Sequence, residues 1–165
     1  MHRSLTSALP AGTLATADAE HTRMLGRSLG RAAVPGTVLA LVGPLGAGKT
    51  QLAKGVAEGL DVTSVVNSPT FVLMNEHPGR LRLYHVDAYR LGDPEESVAA
   101  GLLDERQVDG VTVIEWADRL DGWLPADRLQ VDIAPGPTET ERIVRWTAHG
   151  PIHERLAREV LGGAS

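Results

Sequence analysis

Apolar residues recur with helical spacing in two parts of the first half of the chain, and a continuous apolar run lies between them. The spacing predicts a helix over residues 18–33, with Asp18 as its cap, and a second helix over residues 51–60. The run at residues 37–42 is β-prone throughout, which is typical of a strand buried on both faces. Such a strand belongs to a parallel sheet that helices cover.

Short β-prone runs dominate the rest of the chain. Pieces at residues 65–66, 70–74 and 81–87 are separated by turn-forming residues, which favours a hairpin-like insertion. An acidic cap followed by proline predicts a short helix over residues 93–103. Further strands are predicted at residues 111–114, 129–133 and 142–147, and a closing helix at residues 152–161.

These elements predict an α/β fold. The chain has no internal repeat and no interdomain linker, so residues 1–165 are expected to form one domain. Residues 1–15 mix Ser, Thr, Pro and Gly with isolated apolar residues. We expect them to form a flexible tail.

The stretch GPLGAGKT, residues 43–50, stands between the predicted buried strand and the second helix. Its glycines, lysine and hydroxyl residue have the spacing of a loop that binds nucleotide phosphates. Glycines let backbone N–H groups turn inward, and the following helix N-terminus adds a positive dipole. The strand, loop and helix order disfavours a chance match. The residues expected to bind phosphate are Gly43, Leu45, Gly46, Ala47, Gly48, Lys49 and Thr50, with the Thr50 hydroxyl also on Mg²⁺.

Lysine is rare in this chain, which strengthens the match. Only Lys49 and Lys54 are lysines among its 16 Lys and Arg residues, yet the loop position that needs a compact ammonium group has one. The tetrad that reads guanine needs a lysine far downstream, and none follows Lys54. The nucleotide is therefore expected to be ATP, or ADP as its product.

Two acidic residues follow β-prone runs and are candidates for a Mg²⁺ site. Glu115 follows residues 111–114, and Asp87 follows residues 83–86. The carboxyl ends of parallel strands meet at the sheet edge where ligands bind, so both acids are expected to face the phosphates. The alternative for each is a solvated acid at a strand end, and for Asp87 also simple pairing with Arg90.

Three further residues leave alternatives open. The hydroxyls of Ser68 and Thr70 fit a loop that approaches Mg²⁺ or the γ-phosphate, but their spacing is equally typical of an ordinary turn. Trp116 follows Glu115 directly, and its ring is expected either to contact the nucleotide or to fill the core. The six histidines form no convincing metal set.

Composition excludes several classes of protein. The absence of cysteine rules out disulfides and thiolate metal sites and is typical of a reducing compartment. No apolar run approaches the roughly 20 residues that a membrane helix needs. A net charge of −5 disfavours direct binding to a nucleic-acid backbone. We expect a cytoplasmic protein that binds no membrane and meets RNA only through a protein partner.

Four ordered blocks resemble one known family: GPLGAGKT, VNSPTFVLMNE, LYHVDAYRLGDPEE with the following GLLDE, and VIEWADRL. On these blocks, which span roughly residues 18–133, the chain resembles the TsaE (YjeE) ATPases, which bacteria need to make threonylcarbamoyladenosine in tRNA. The resemblance implies a P-loop NTPase fold with a central, mainly parallel sheet, an antiparallel extension and flanking helices. It also implies weak ATPase activity in partnership with TsaB and TsaD, with tRNA reached only indirectly.

The resemblance also implies roles for individual residues. By position, Lys49 and Thr50 match the residues that bind phosphate and Mg²⁺. Asp87 matches the acid that lies near Mg²⁺ and the attacking water, and Glu115 matches a second acid that binds Mg²⁺. The segment with Ser68 and Thr70 resembles the family's mobile loop, and Trp116 resembles a tryptophan near the nucleotide. Adenine contacts are not assigned, because the segment before the first helix departs from the family's pattern.

Two other functions share the same loop and acids. A small-metabolite kinase would add an arginine-bearing lid and an acceptor pocket. Arg80, Arg82 and Arg90 offer such arginines, but no separate long lid segment remains between the core elements. A scaffold that binds ATP without hydrolysing it is the third possibility, and the presence of Asp87 and Glu115 argues against it.

Overall fold

Seven strands form a single sheet flanked by three helices, within the part of the chain that the structure describes. This computed structural model describes residues 9–44, 46–64, 66, 74–89, 108–120 and 122–162. The strands are β1 (Ala11–Thr16), β2 (Val38–Val42), β3 (Met74–His77), β4 (Leu83–Asp87), β5 (Val111–Glu115), β6 (Arg128–Pro135) and β7 (Arg142–His149). The helices are α1 (Ala19–Ala32), α2 (Lys49–Gly59) and α3 (Pro151–Val160), and a 3-10 turn follows β5 at Ala117–Leu120.

The sheet is parallel at its centre and antiparallel at both edges, with strand order β1-β7-β6-β2-β5-β4-β3. β6, β2, β5 and β4 run parallel to one another, β7 and β1 extend the sheet antiparallel on one side, and β3 does so on the other. The carboxyl ends of four parallel strands therefore meet at one edge, beside the loop that follows β2.

Each central strand presents alternate residues to two apolar layers. Leu39 and Leu41 of β2 belong to the layer that includes Leu52 of α2, whereas Ala40 and Ile114 belong to the opposite layer. This alternation confirms the strand predicted at residues 37–42 to be buried on both faces. Close packing on both sides gives the loops at the carboxyl edge a rigid base.

α1 and α2 approach closely because glycines line their contact. A Cβ at Gly26 would lie 2.2 Å from Leu52 O, and a Cβ at Gly55 would lie 2.0 Å from Arg23 O. The Arg23 guanidinium also pairs with the Glu58 carboxylate across the same contact. The N-terminal turn of α1 is thereby held next to the N-terminal turn of α2.

Most predicted elements that fall within the described residues are confirmed. α1 begins after Asp18, whose Oδ1 accepts a hydrogen bond from His21 N at 2.8 Å. The later predicted strands and the closing helix correspond to β5, β6, β7 and α3. The predicted helix at residues 93–103 and most of the predicted pieces at 65–66 and 70–74 lie outside the described residues. Among the described residues, no helix is both long and apolar enough to cross a membrane.

Two predictions are wrong in part. The composition predicts a flexible tail at residues 11–15, but these residues form most of β1. β1 pairs with β7, and its Gly12 packs against the Trp146 ring. The local pattern missed this strand because its partner lies at the far end of the chain. The hairpin of β3 and β4 is present, but β4 also pairs in parallel with β5 and is a central strand of the sheet, not part of an insertion.

Candidate active site

The loop between β2 and α2 has a backbone conformation that requires glycine. Gly43, Gly46 and Gly48 have φ values of 156°, 80° and 116°. A Cβ at Gly43 would also lie 2.3 Å from Ile133 O of β6, so no larger residue fits there. Gly48 is the N-cap of α2, and the first N–H groups of the helix therefore point toward the loop.

Lys49 lies inside this loop with only 4% of its surface exposed. Its Nζ donates hydrogen bonds to Gly43 O at 2.5 Å and Pro44 O at 2.9 Å, and lies 4.0 Å from the centroid of the Trp116 ring. Burial lowers the pKa of Lys49 from its usual value, and nearby acids, Glu115 foremost, oppose that shift. An ammonium group in this setting gains strongly from an anionic ligand.

A buried carboxylate lies beside the first turn of α2. Glu115 ends β5 and is 2% exposed. Its Oε1 accepts a hydrogen bond from Thr50 Oγ1 at 3.0 Å, and its Oε2 lies 2.5 Å from Nε2 of His85. The Thr50 hydroxyl and the Glu115 carboxylate thus bring together oxygen atoms, the ligand type that Mg²⁺ prefers. The residues present therefore fit a Mg²⁺ site at the phosphate loop.

Asp87 ends the strand next to Glu115. The sheet register pairs Asp87 of β4 with Glu115 of β5, so both side chains leave the same face of the sheet. That face is the one covered by α2. Asp87 is half-buried, and its Oδ1 accepts a hydrogen bond from Tyr89 N at 2.9 Å. Two carboxylates therefore stand at neighbouring strand ends beside the phosphate loop.

Trp116 lies between the loop and the apolar layer on the opposite face. Its φ of 59° is rare for an aromatic residue and marks a backbone held by its surroundings. The ring lies over the Lys49 ammonium, and its centroid is 4.8 Å from that of Tyr89. The same side chain packs against the core. Its position is therefore compatible with both of the interpretations that the sequence left open.

Arg142 of β7 contacts the phosphate loop from the side of β6. Its Nε donates to Ala47 O at 3.0 Å, and its Nη2 lies 3.4 Å from Gly46 O. A pocket of about 310 Å³ opens beside this contact, lined by the N-terminal turns of α1 and α2 and by the turn before β7. Its lining includes Ala19, Thr22, Gly48, Gln51, Glu139 and Thr140.

Most of the predicted site residues come together at this one edge: Gly43, Gly46, Ala47, Gly48, Lys49, Thr50, Asp87, Glu115 and Trp116. Leu45, Ser68 and Thr70 lie outside the described residues. The roles of all these residues in binding and catalysis remain predictions.

Sequence reasoning missed two residues of this region, His85 and Arg142. His85 stands two residues before Asp87 on a strand, so the two must leave the same face of the sheet. That spacing is a signal that the sequence contains. Nothing local marks Arg142, because only the strand order brings β7 near the loop after β2.

Similarity to known proteins shows which family this chain belongs to. The family model described as "Threonylcarbamoyl adenosine biosynthesis protein TsaE" matches residues 16–144. The chain belongs to the TsaE family. A Bacillus subtilis relative, "tRNA threonylcarbamoyladenosine biosynthesis protein TsaE", is 42% identical over 146 residues, which cover 88% of this chain and 90% of the relative.

Two further comparisons extend the TsaE similarity. A Streptomyces coelicolor protein with the same name is 42% identical over 138 residues, which cover 82% of this chain and 93% of the relative. The crystal structure of Bacillus subtilis YdiB matches with a TM-score of 0.79 and 36% identity, covering 95% of this chain and 98% of that one. The resemblance predicted from the four sequence blocks is confirmed. The TsaE family, and with it this chain, is associated with biosynthesis of threonylcarbamoyladenosine in tRNA.

Proposed function

We propose that this protein is a Mg²⁺-dependent ATP-binding and weakly ATP-hydrolysing subunit that works with TsaB and TsaD in the threonylcarbamoyl modification of adenosine in tRNA. One observation carries the proposal: the buried Lys49 ammonium, the Thr50 hydroxyl and the Glu115 carboxylate meet at one sheet edge. A P-loop ATPase uses this set of groups to hold Mg²⁺ and a triphosphate. Membership of the TsaE family supplies the pathway.

Lys49 is proposed to change partners when the nucleotide binds. Its present acceptors, Gly43 O and Pro44 O, are neutral carbonyls. Hydrogen bonds to charged oxygens are roughly twice as strong as those between neutral groups, so phosphate oxygens are better acceptors. The N–H groups of the loop and of the first turn of α2 would complete the phosphate cradle.

Thr50 and Glu115 are proposed to hold Mg²⁺, either directly or through its waters. A hydroxyl has two lone pairs, so Thr50 can keep donating its proton to Glu115 while its oxygen binds the metal. A Mg²⁺ ion held by these two residues would supply positive charge that offsets the negative charge developing on the phosphate oxygens. Asp87, on the neighbouring strand, is proposed to orient the water for in-line attack on the γ-phosphate, without a covalent enzyme intermediate.

The nucleoside end of ATP or ADP is proposed to lie in the pocket beside Arg142. This pocket adjoins Gly48 and Gln51, where the phosphate chain would leave the first turn of α2. Thr140 of the opposite turn lines one side of the pocket, and Thr22 of α1 lines another while its hydroxyl bonds to Thr16 and Asp18. We place the adenine contacts here, at the position that the sequence left unassigned.

Turnover by the protein alone is expected to be slow. Arg142 donates to backbone carbonyls of the loop, so we expect a partner to supply further charge stabilisation in the transition state. The chain's net charge of −5 disfavours direct binding to tRNA, and the partners TsaB and TsaD would provide that contact. The cytoplasm is the compartment in which we expect this function.

The test is phosphate release from Mg-ATP by the protein alone, then with purified TsaB and TsaD, with and without tRNA. We expect a low basal rate that the partners raise, and no stimulation with Lys49→Ala. A rate that ignores the partners but rises with a small metabolite that becomes phosphorylated would instead support the kinase. Binding of ATP with no hydrolysis under any of these conditions would support the scaffold.

A further inference from the structure

His85 is a buried polar residue to which the proposed mechanism gives no role. It lies in the middle of β4 with none of its surface exposed. Its Nε2 is 2.5 Å from Oε2 of Glu115, and its Nδ1 is buried without a hydrogen-bond partner among the described residues. The imidazole therefore makes its one observed polar contact with the acid of the candidate metal site.

The strand geometry places His85 behind the site and not in it. His85 and Asp87 are two residues apart on β4, so they leave the same face, with Asp87 at the carboxyl end of the strand. The sheet register pairs Asp87 with Glu115 and His85 with Val113, one pleat further from the edge. His85 thus supports Glu115 from the interior.

The two oxygens of Glu115 have different partners. Oε1 accepts from the Thr50 hydroxyl, which faces the phosphate loop, whereas Oε2 faces His85. A buried carboxylate is costly unless its oxygens are satisfied, and a donor on Oε2 fixes how the group is rotated. The Nε2–H tautomer of His85 provides this donor. In that tautomer Nδ1, which has no hydrogen-bond partner among the described residues, carries no proton, so the ring leaves no buried N–H group unsatisfied.

We propose that His85 is the positioning residue for Glu115: its Nε2–H holds Oε2, so that Oε1 is presented to Thr50 and Mg²⁺. This inference rests on the proposed function and deepens it. His85 acts through Glu115 and contacts neither metal nor nucleotide. Donors behind metal-binding carboxylates typically change metal affinity or activity by about 10- to 100-fold when removed.

The test compares two substitutions in the full-length protein. His85→Leu removes the donor and keeps an apolar side chain, whereas the terminal amide of His85→Gln can place an N–H near the position of Nε2. For His85→Leu we expect the Mg²⁺ concentration giving half-maximal ATP hydrolysis to rise by roughly tenfold. His85→Gln should recover most of that loss. Binding of a fluorescent ATP analogue in EDTA, which reports only the Mg²⁺-independent part of the nucleotide affinity, should be unchanged in both.

A second measurement reads the protonation of the His85 ring directly in the unmodified protein and uses variants only for assignment and comparison. Nitrogen-15 NMR of the histidine side chains, with His85→Gln used for assignment, should show His85 protonated at Nε2, and this signal should shift in Glu115→Gln. A proton on Nδ1 with a bare Nε2 would overturn the inference.

The outcomes separate this inference from the proposed function. If the unmodified protein responds to Mg²⁺ and His85→Leu has the same Mg²⁺ dependence, the positioning role is wrong while the function stands. Equal losses of Mg²⁺ affinity in His85→Gln and His85→Leu would also overturn it, because shape and not the donor would then matter. If the unmodified protein shows no Mg²⁺-dependent binding or hydrolysis, both proposals fail.

Discussion

At the scale of single residues, the site depends on charged groups that are almost completely buried. Lys49 is 4% exposed and Glu115 is 2% exposed. Lys49 donates a hydrogen bond to Gly43 O, and Glu115 accepts one from the Thr50 hydroxyl. Electrostatic interactions are stronger in such surroundings than in water. Small chemical changes at these two residues should therefore have large effects on the site.

Glu115→Gln removes the charge and keeps the shape of the side chain. We expect Mg²⁺-dependent ATP hydrolysis to fall by about 100-fold or more, because the site loses a preorganised anion. Nucleotide affinity in EDTA should change little. The control is Glu159→Gln, an exposed glutamate on α3. Hydrolysis at the unmodified rate by Glu115→Gln would refute the assignment of this acid.

Arg142→Lys keeps the charge but loses the planar set of donors. The guanidinium bonds to Ala47 O and also to Glu139 O and Glu141 O, both at 2.8 Å, and an ammonium group cannot bridge all three. We expect ATP affinity to fall by about tenfold, which corresponds to roughly 1.4 kcal/mol. Titration calorimetry would measure it, with Arg145→Lys, exposed on the same strand, as the control. Equal affinities for the two variants would contradict this role.

At the scale of elements, the contact of α1 with α2 frames the pocket. Gly26 and Gly30 of α1 meet Gly55 and Gly59 of α2, and a Cβ on any of the four would lie within 2.3 Å of a backbone oxygen. The N-terminal turns of the two helices line the proposed nucleoside pocket. The glycine contact therefore holds two of the pocket's walls close together.

Gly55→Ala should destabilise the protein, although alanine is the better helix former. Its Cβ would lie 2.0 Å from Arg23 O and 2.8 Å from Arg27 N, atoms that cannot move without shifting α1. A gain of about 1 kcal/mol in helix propensity is opposed by overpacking and helix displacement, and we expect a net loss of roughly 2 kcal/mol. Urea denaturation would measure it. The exposed Ser28→Ala on α1 should change stability by less than about 0.5 kcal/mol, and a stability gain in Gly55→Ala would show that the contact is loose.

At the scale of the whole molecule, a hydrogen bond to a buried histidine connects helix α3 to strand β2. His153 of α3 is completely buried, and its Nε2 accepts a hydrogen bond from Val38 N at 3.0 Å. Burial lowers the pKa of His153 from 6.5 to about 4. Protonation would both charge a buried ring and remove the acceptor for Val38 N.

This pKa predicts loss of stability in mild acid. Between pH 6.5 and pH 4 the unfolded chain binds a proton at His153 that the folded protein does not, so the free energy of unfolding falls as the pH falls. His153 alone should account for roughly 3 kcal/mol over this range, with its contribution complete above pH 6.5. Urea denaturation of His153→Gln from pH 7.5 to 4.5 should show a weaker pH dependence, whereas Ser28→Ala, an exposed change without a titratable group, should follow the unmodified protein. Identical slopes for all three proteins would contradict the prediction.

Local chemistry in the sequence determined much of this protein. The phosphate loop, the helix capped by Asp18 and the apolar run of β2 are specified by residues close together in the chain, because glycine, capping and strand propensities act over a few positions. The acids Asp87 and Glu115 could be placed at strand ends for the same reason. Family membership also followed from ordered blocks of sequence.

Only the tertiary structure decided which distant segments meet. The local pattern predicts a tail where β1 forms, because its partner β7 lies more than a hundred residues away. It predicts an insertion where β4 forms, because the parallel pairing of β4 with β5 has no local signature. Arg142 contacts the phosphate loop only because the strand order brings β7 near it. His85 contacts Glu115 because the neighbouring strands β4 and β5 bring them together. Pairing between segments far apart in the chain depends on how the whole sheet packs, and a local pattern of residues does not contain that information.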